Sequence, residues 1–139
     1  MKAVFVDTAG WMLLSDSNDP FHLKGIEFRN NWLNKGGIFV TTDYVVDETL
    51  TLLRAKLNLS AAEKWWQIVS NSSRISWEYI NSVRSEEARA LFFGWREQKF
   101  SFTDCTSFVV MRELGIDKVL TSDKNFTRAG FSLVPGKKR

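Results

Sequence analysis

Four acidic residues, Asp7, Glu48, Asp104 and Asp123, fall where an alternating strand and helix pattern would deliver them to one edge of a single sheet. Asp7 closes the apolar run Ala3-Val4-Phe5-Val6-Asp7, and Glu48 lies early in a helix entered from a second run, Ile38-Phe39-Val40-Thr41-Thr42. Asp104 opens another helix, and Asp123 follows the strand Val119-Leu120-Thr121-Ser122 by one step. In a parallel sheet the strand C-termini and the N-termini of the helices they feed share one edge, where doubly wound folds place their sites. Acids far apart in sequence thereby become neighbours. Several carboxylates in one place repel and would bind protons unless a cation neutralised them. Mg²⁺ or Mn²⁺ suits such oxygen donors, and an ion so held can activate water and stabilise charge on a phosphate. The pattern points to a metal-dependent phosphodiesterase.

Each acid also has an ordinary explanation. Asp104 alone would be a first-turn acid favoured by the helix dipole. Asp7 resists that treatment, because a charge at the rim of the core is costly without a cation or hydrogen bonds. On the helical wheel Glu48 borders the apolar arc beside Leu52 while Asp47 points further away, so Glu48 is the inward acid.

The elements that must carry these residues can be read along the chain. Thr8 to Leu14 reads as a short helical turn, and Ser15 to Asn18 as a polar break. Asp19 can cap the next helix, Pro20 suits its first turn, Phe28 and Trp32 form an i,i+4 pair, and Gly36-Gly37 stops it. Asp43 is a candidate N-cap for a helix from Tyr44 to Leu57, whose stripe of Val46, Leu50, Leu53 and Leu57 suits packing on a sheet. Ser60-Ala61-Ala62-Glu63 matches a capping box for a helix to about residue 70, with Trp65, Ile68 and Val69 inward. A third strand is expected over Arg74 to Tyr79, then a helix over Asn81 to Glu97 with Ala88, Leu91, Phe92 and Trp95 inward. Thr103 can cap a helix from Asp104 to Leu114 that Gly115 ends, followed by a strand over Lys118 to Thr121 and an edge strand over Phe131 to Val134. Right-handed crossovers then give one α/β domain over residues 1–139, a three-layer α/β/α sandwich around a four- or five-stranded parallel sheet.

Composition narrows the alternatives. The 139 residues are 44% hydrophobic, enough for one good core. The six Trp and eleven Phe are scattered through apolar patterns, as core residues would be. The 19 basic against 16 acidic residues give a net charge of +3, part of it in the terminal Lys137-Lys138-Arg139. That balance permits RNA as a partner, with the tail read as a solvated end. Cys105 is the single cysteine, which excludes an intramolecular disulfide and suits a reducing cytoplasm. With His22 the single histidine, a Cys–His nucleophile and a closed zinc site are both disfavoured. The N-terminal apolar run is too short for a signal peptide or a membrane span, so a cytoplasmic protein is expected.

The segments Val4-Phe5-Val6-Asp7-Thr8, Thr42 to Leu50, Ser101-Phe102-Thr103-Asp104-Cys105-Thr106-Ser107 and Leu120 to Phe126 resemble, in order and spacing, the motifs of PIN-domain ribonucleases. Over nearly the whole chain the likeness is greatest to the VapC-type toxins of toxin-antitoxin pairs. The resemblance implies that Asp7, Glu48, Asp104 and Asp123 hold Mg²⁺ or Mn²⁺, with Thr8 and Ser122 supporting them or touching phosphate oxygens. Asn125 stands where a further acid or a histidine is common, which bears on a second metal; it also suits a turn. Implied too are RNA as substrate, hydrolysis to 3′-hydroxyl and 5′-phosphate ends, a homodimer using Phe28, Trp32, Trp65 or Trp66, and a VapB-like antitoxin placing an Arg or Lys among the acids. The alternatives are a PIN nuclease of general RNA processing and a non-catalytic PIN module that binds RNA or protein. Arg54, Arg84, Arg89, Arg96 and Lys99 could line a phosphate-binding face or simply be solvated.

Overall fold

The computed structural model, which describes residues 2–136, joins five strands into one sheet: β1 (Ala3–Val6), β2 (Ile38–Thr42), β3 (Ile75–Glu78), β4 (Lys118–Leu120) and β5 (Ser132–Val134). Their order is β3-β2-β1-β4-β5, and all four pairings are parallel. The helices between them are α1 (Thr8–Ser15), α2 (His22–Asn34), α3 (Asp43–Lys56), α4 (Leu59–Asn71), α5 (Ser82–Gly94), α6 (Phe102–Leu114) and the short α7 (Asn125–Arg128). Right-handed crossovers send α1 to α4 over one face of this order and α5 to α7 over the other. This is the expected three-layer sandwich, with five strands. The terminal Lys137 to Arg139 lie outside the described residues.

From β1 the chain moves outward to β2 and β3, then crosses back to β4 and on to β5. The sheet therefore reverses direction between the adjacent strands β1 and β4, the place where open α/β sheets leave a crevice at their carboxyl ends. Asp7 follows β1 directly and Asp123 follows β4, so topology brings both acids to that crevice. Central β1 is covered on both faces, and Val4, Phe5 and Val6 are fully buried. On the α6 side Phe108 packs edge-on against Phe100 and Phe126, with ring centroids 5.0 Å apart in both pairs. Each such buried ring contributes about 2–3 kcal/mol through apolar area removed from water.

Several element ends differ from the sequence expectation, each for a local reason. Strand β1 stops at Val6, because Asp7 is the N-cap of α1. Thr42, not Asp43, caps α3, while the Asp43 carboxylate accepts a hydrogen bond from the Ile80 amide at 2.9 Å. Asn58 caps α4 ahead of Ser60, its side chain accepting from the Ala61 amide. Ser101 rather than Thr103 caps α6. Helix α5 ends at Gly94, and α2 begins at His22 with Asp19 accepting from the Phe21 amide just before it. Ile68, expected inside, is 61% exposed, since Trp65 and Val69 already fill the inward arc of α4. Phe92 is also exposed. Of the aromatics considered for an interface, Trp65 is buried and Phe28 and Trp32 pack against the core, leaving Trp66 at the surface.

Candidate active site

Asp7, Glu48, Asp104 and Asp123 line a single cleft of about 310 Å³ together with Thr8 and Asn125. Four different elements supply the acids, and local chemistry fixes each one. Asp7 caps α1, its Oδ1 accepting from the Gly10 amide at 2.9 Å. Gly10 is what lets that helix end sit so deep, because a Cβ there would collide with the Leu120 carbonyl oxygen of β4. Glu48, on α3, accepts a hydrogen bond from the Thr8 hydroxyl at 2.6 Å. Asp104 forms a capping box with Ser101: its amide donates to Ser101 Oγ at 2.9 Å, and its Oδ2 accepts from the Ser101 amide at 3.3 Å. Asp123 turns the chain after β4, its amide donating to Thr121 Oγ1 at 3.0 Å and its Oδ1 accepting from the Asn125 amide at 2.9 Å.

Asn125 is the first residue of α7, so the anticipated turn role becomes that of a helix start. Its Oδ1 accepts from Arg128 Nη1 at 2.9 Å, which turns its Nδ2 toward Asp104 Oδ2 at 3.4 Å. Thus the carbonyl faces an arginine, and the amide donates to the acid cluster.

The electrostatics follow from burial. Asp7 is 5% exposed, and desolvation, reinforced by the charges of Asp123 and Asp104, pushes its carboxyl up from 3.8 to about 8 against the lowering hydrogen bonds of Gly10 and Thr121. Burial raises Asp104 as well, followed by the charge of Asp123. A cluster of this kind holds a proton at neutral pH unless a cation replaces it. The donor chemistry fits a hard divalent ion, since every candidate ligand is a carboxylate oxygen. Ser107 Oγ, buried at the wall of the same cleft without a hydrogen-bond partner, is a further polar atom awaiting a polar occupant. Among the described residues, no three carboxylates stand close enough to share one ion as placed. Asp7, Glu48 and Asp104 each already accept a hydrogen bond, from the Gly10 amide, the Thr8 hydroxyl and the Ser101 amide respectively.

Of the residues singled out from the sequence, the cleft gathers Asp7, Thr8, Glu48, Asp104, Asp123 and Asn125. Ser122 is exposed and off the cleft wall; its neighbour Thr121, which is buried, takes the supporting role through Asp7 and Asp123. Arg84 leaves the proposed phosphate-binding face for a structural pair, bonding Glu113 at 2.7 Å and Glu78 at 3.0 Å. Lys99 does line the cleft. Cys105 is fully buried with its thiol pushed up to about 11 by burial and then by Asp104, and His22 Nδ1 lies 2.8 Å from the Leu13 carbonyl oxygen, so neither belongs to the site. A larger cavity of about 500 Å³ bordered by Leu14, Leu33 and Trp65 has no acidic lining.

An acid-lined cleft at the switch point of a parallel α/β/α sandwich agrees with the family comparison: the PIN-domain family matches residues 4–132, and the chain belongs to that family. Among curated proteins it is similar to the 23S rRNA-specific endonuclease VapC20 of Mycobacterium tuberculosis, in strains CDC 1551 / Oshkosh and ATCC 25618 / H37Rv. Identity is 31% over 128 residues, spanning 92% of this chain and 95% of that protein in each case. The crystal structure of Mycobacterium tuberculosis VapC20, described as a sarcin-ricin loop cleaving toxin, superposes with a TM-score of 0.82 at 31% identity, again over 92% of this chain and 95% of the other.

Proposed function

We propose that this chain is a divalent-cation-dependent endoribonuclease, the toxin of a toxin-antitoxin pair, and that its substrate is a structured ribosomal RNA. The observation that carries the reading is the convergence of four carboxylates from four elements on one cleft of a PIN domain. The likeness to a 23S rRNA-specific endonuclease supports the substrate class. Asp7, Glu48, Asp104 and Asp123 are the residues that would hold Mg²⁺ or Mn²⁺. When bound, such an ion neutralises the carboxylates, lowers the pKa of water and offsets charge developing on the phosphate.

The chain's own groups divide the remaining work. Asp7, deepest in the cleft, anchors the site through the N-terminus of α1. The Thr8 hydroxyl donates to Glu48 Oε1 and so fixes the direction in which that carboxylate faces the cleft. Asn125, oriented by Arg128, aims Asp104 into the cleft. In-line attack by water on phosphorus forms the new P–O bond and breaks the P–O3′ bond; the water gives up a proton to solvent, the departing 3′-oxygen takes one from solvent, and 3′-hydroxyl and 5′-phosphate ends remain.

Two partner readings belong to the same proposal. A small antitoxin silences the cleft by inserting an Arg or Lys among the carboxylates, the physical complement of such a cluster. Two copies of the chain associate, for which the exposed rings of Trp66, Phe92 and Phe93 offer apolar surface; light scattering that finds a monomer at micromolar concentration would remove this part alone. Growth after induction in a host lacking any antitoxin tests the toxin reading. The wild-type chain should arrest growth and release cleaved 23S rRNA, while Asp104→Asn at matched soluble expression should do neither. Equal growth of the two would contradict it.

A further inference from the structure

Among the described residues, Lys99 is the one cation that lines the acidic cleft. An ammonium beside four carboxylates would ordinarily be expected to pair with one of them. Yet among the described residues Lys99 takes part in no ion pair within 4.0 Å, and its side chain is exposed. The two residues that follow it, by contrast, are fixed in place. Phe100, the next residue, is 6% exposed and wedged edge-on between Trp95 and Phe108, with centroids at 4.8 and 5.0 Å. Ser101, one residue further on, is the N-cap of α6 and is locked to Asp104 by the capping box. The packed Phe100 and the capping Ser101 thus fix an exposed cation, in no ion pair among the described residues, at the wall of an acid-lined cleft. The N-terminus of α6 adds positive backbone dipole at the same place.

That division of charge has a use if the ligand is itself an anion. A phosphodiester approaching four carboxylates is repelled until something at the rim offsets its charge, and a lysine does so as a mobile point charge. Resting on the ribonuclease reading of the same cleft, we propose that Lys99 binds an RNA phosphate next to the scissile one and draws the backbone over the acids. The contact is to phosphate and carries no base information, so it governs affinity and orientation and leaves the choice of sequence to other residues.

The test measures binding apart from cleavage. In an Asp104→Asn background with EDTA, a fluorescein-labelled RNA of the sarcin-ricin stem-loop is titrated by anisotropy at several salt concentrations. Adding Lys99→Gln should weaken binding at every salt and lower the slope of log affinity against log salt by about 1. The affinity gap between the two chains should therefore shrink about fourfold between about 50 and about 200 mM salt. Lys99→Arg should keep the slope, and Lys24→Gln, on α2 and away from the cleft, should keep both affinity and slope. In the catalytically intact chain Lys99→Gln should raise KM more than it lowers kcat. Unchanged affinity and slope for Lys99→Gln would overturn the proposal, and so would equal loss in Lys99→Arg, which would mark a structural role. A background chain that binds no RNA at all in EDTA would overturn the Lys99 contact, whereas the ribonuclease reading stands or falls separately on cleavage in Mg²⁺ or Mn²⁺.

Discussion

Replacing Asp7 with Asn keeps the shape of the side chain and the acceptor for the Gly10 amide, and removes the charge that burial penalises. The folded chain holds a proton on Asp7 up to about 8, whereas the unfolded chain releases it near 3.8. Between these values the native state binds the extra proton, so wild-type stability falls as pH rises through the window and levels off, for this group, above about 8. From 3.8 to pH 7, at about 1.4 kcal/mol per pH unit, the cost approaches about 4 kcal/mol; relaxation around the site brings the expected gain for Asp7→Asn to about 2–4 kcal/mol. Urea unfolding in EDTA, followed by fluorescence of the six Trp, measures it. Asp7→Asn should be more stable at about pH 7.5, by a margin that narrows to roughly 1–2 kcal/mol at about pH 5. Mg²⁺ should then stabilise the wild type and leave Asp7→Asn almost unmoved. A margin that is absent at pH 7.5, or that fails to grow with pH, would refute the assignment of Asp7 as a buried, proton-holding carboxylate.

Three further outcomes are expected. Gly10→Ala should lower stability by about 1–3 kcal/mol in thermal melts, because the new methyl meets the Leu120 carbonyl oxygen and forces α1 away from β4. Ser101→Ala should cost about 1 kcal/mol through the lost cap of α6, with Ser101→Thr largely retaining it, as read by urea midpoints. Arg128→Ala should free the Asn125 amide, so cleavage should slow severalfold at unchanged melting temperature; an unaltered rate would remove Arg128 from the site.

The sequence exposed those features that depend on strong periodicity. The apolar runs around Phe5, Phe39 and Val119 could only be buried strands, and the breaks between them set the crossovers that converge the acids. Asp7 was legible because a carboxylate at the end of such a run has few inexpensive explanations. Less legible was anything set by competition between neighbouring polar residues. Thr42 and Asp43, Asn58 and Ser60, and Ser101 and Thr103 each offer a plausible cap, and the tertiary position of the helix decides between them. Thr121 was passed over for Ser122 because both are small hydroxyl residues just past β4, and only the tertiary packing separates the buried one from the exposed one. Arg84 looked like surface charge on a helix. Its partners Glu78 and Glu113 come from β3 and α6, which no local pattern connects.

If the four carboxylates cut RNA with the help of a divalent ion, cleavage must follow both the ion and the acids. Purified wild-type chain, incubated with ribosomal RNA in Mg²⁺ or Mn²⁺, should generate discrete fragments bearing 5′-phosphate ends. EDTA should abolish the reaction, and Asp104→Asn, equally folded by circular dichroism, should be inactive in either ion. Cleavage that persists in EDTA, or that Asp104→Asn performs as well as the wild type, would contradict the account.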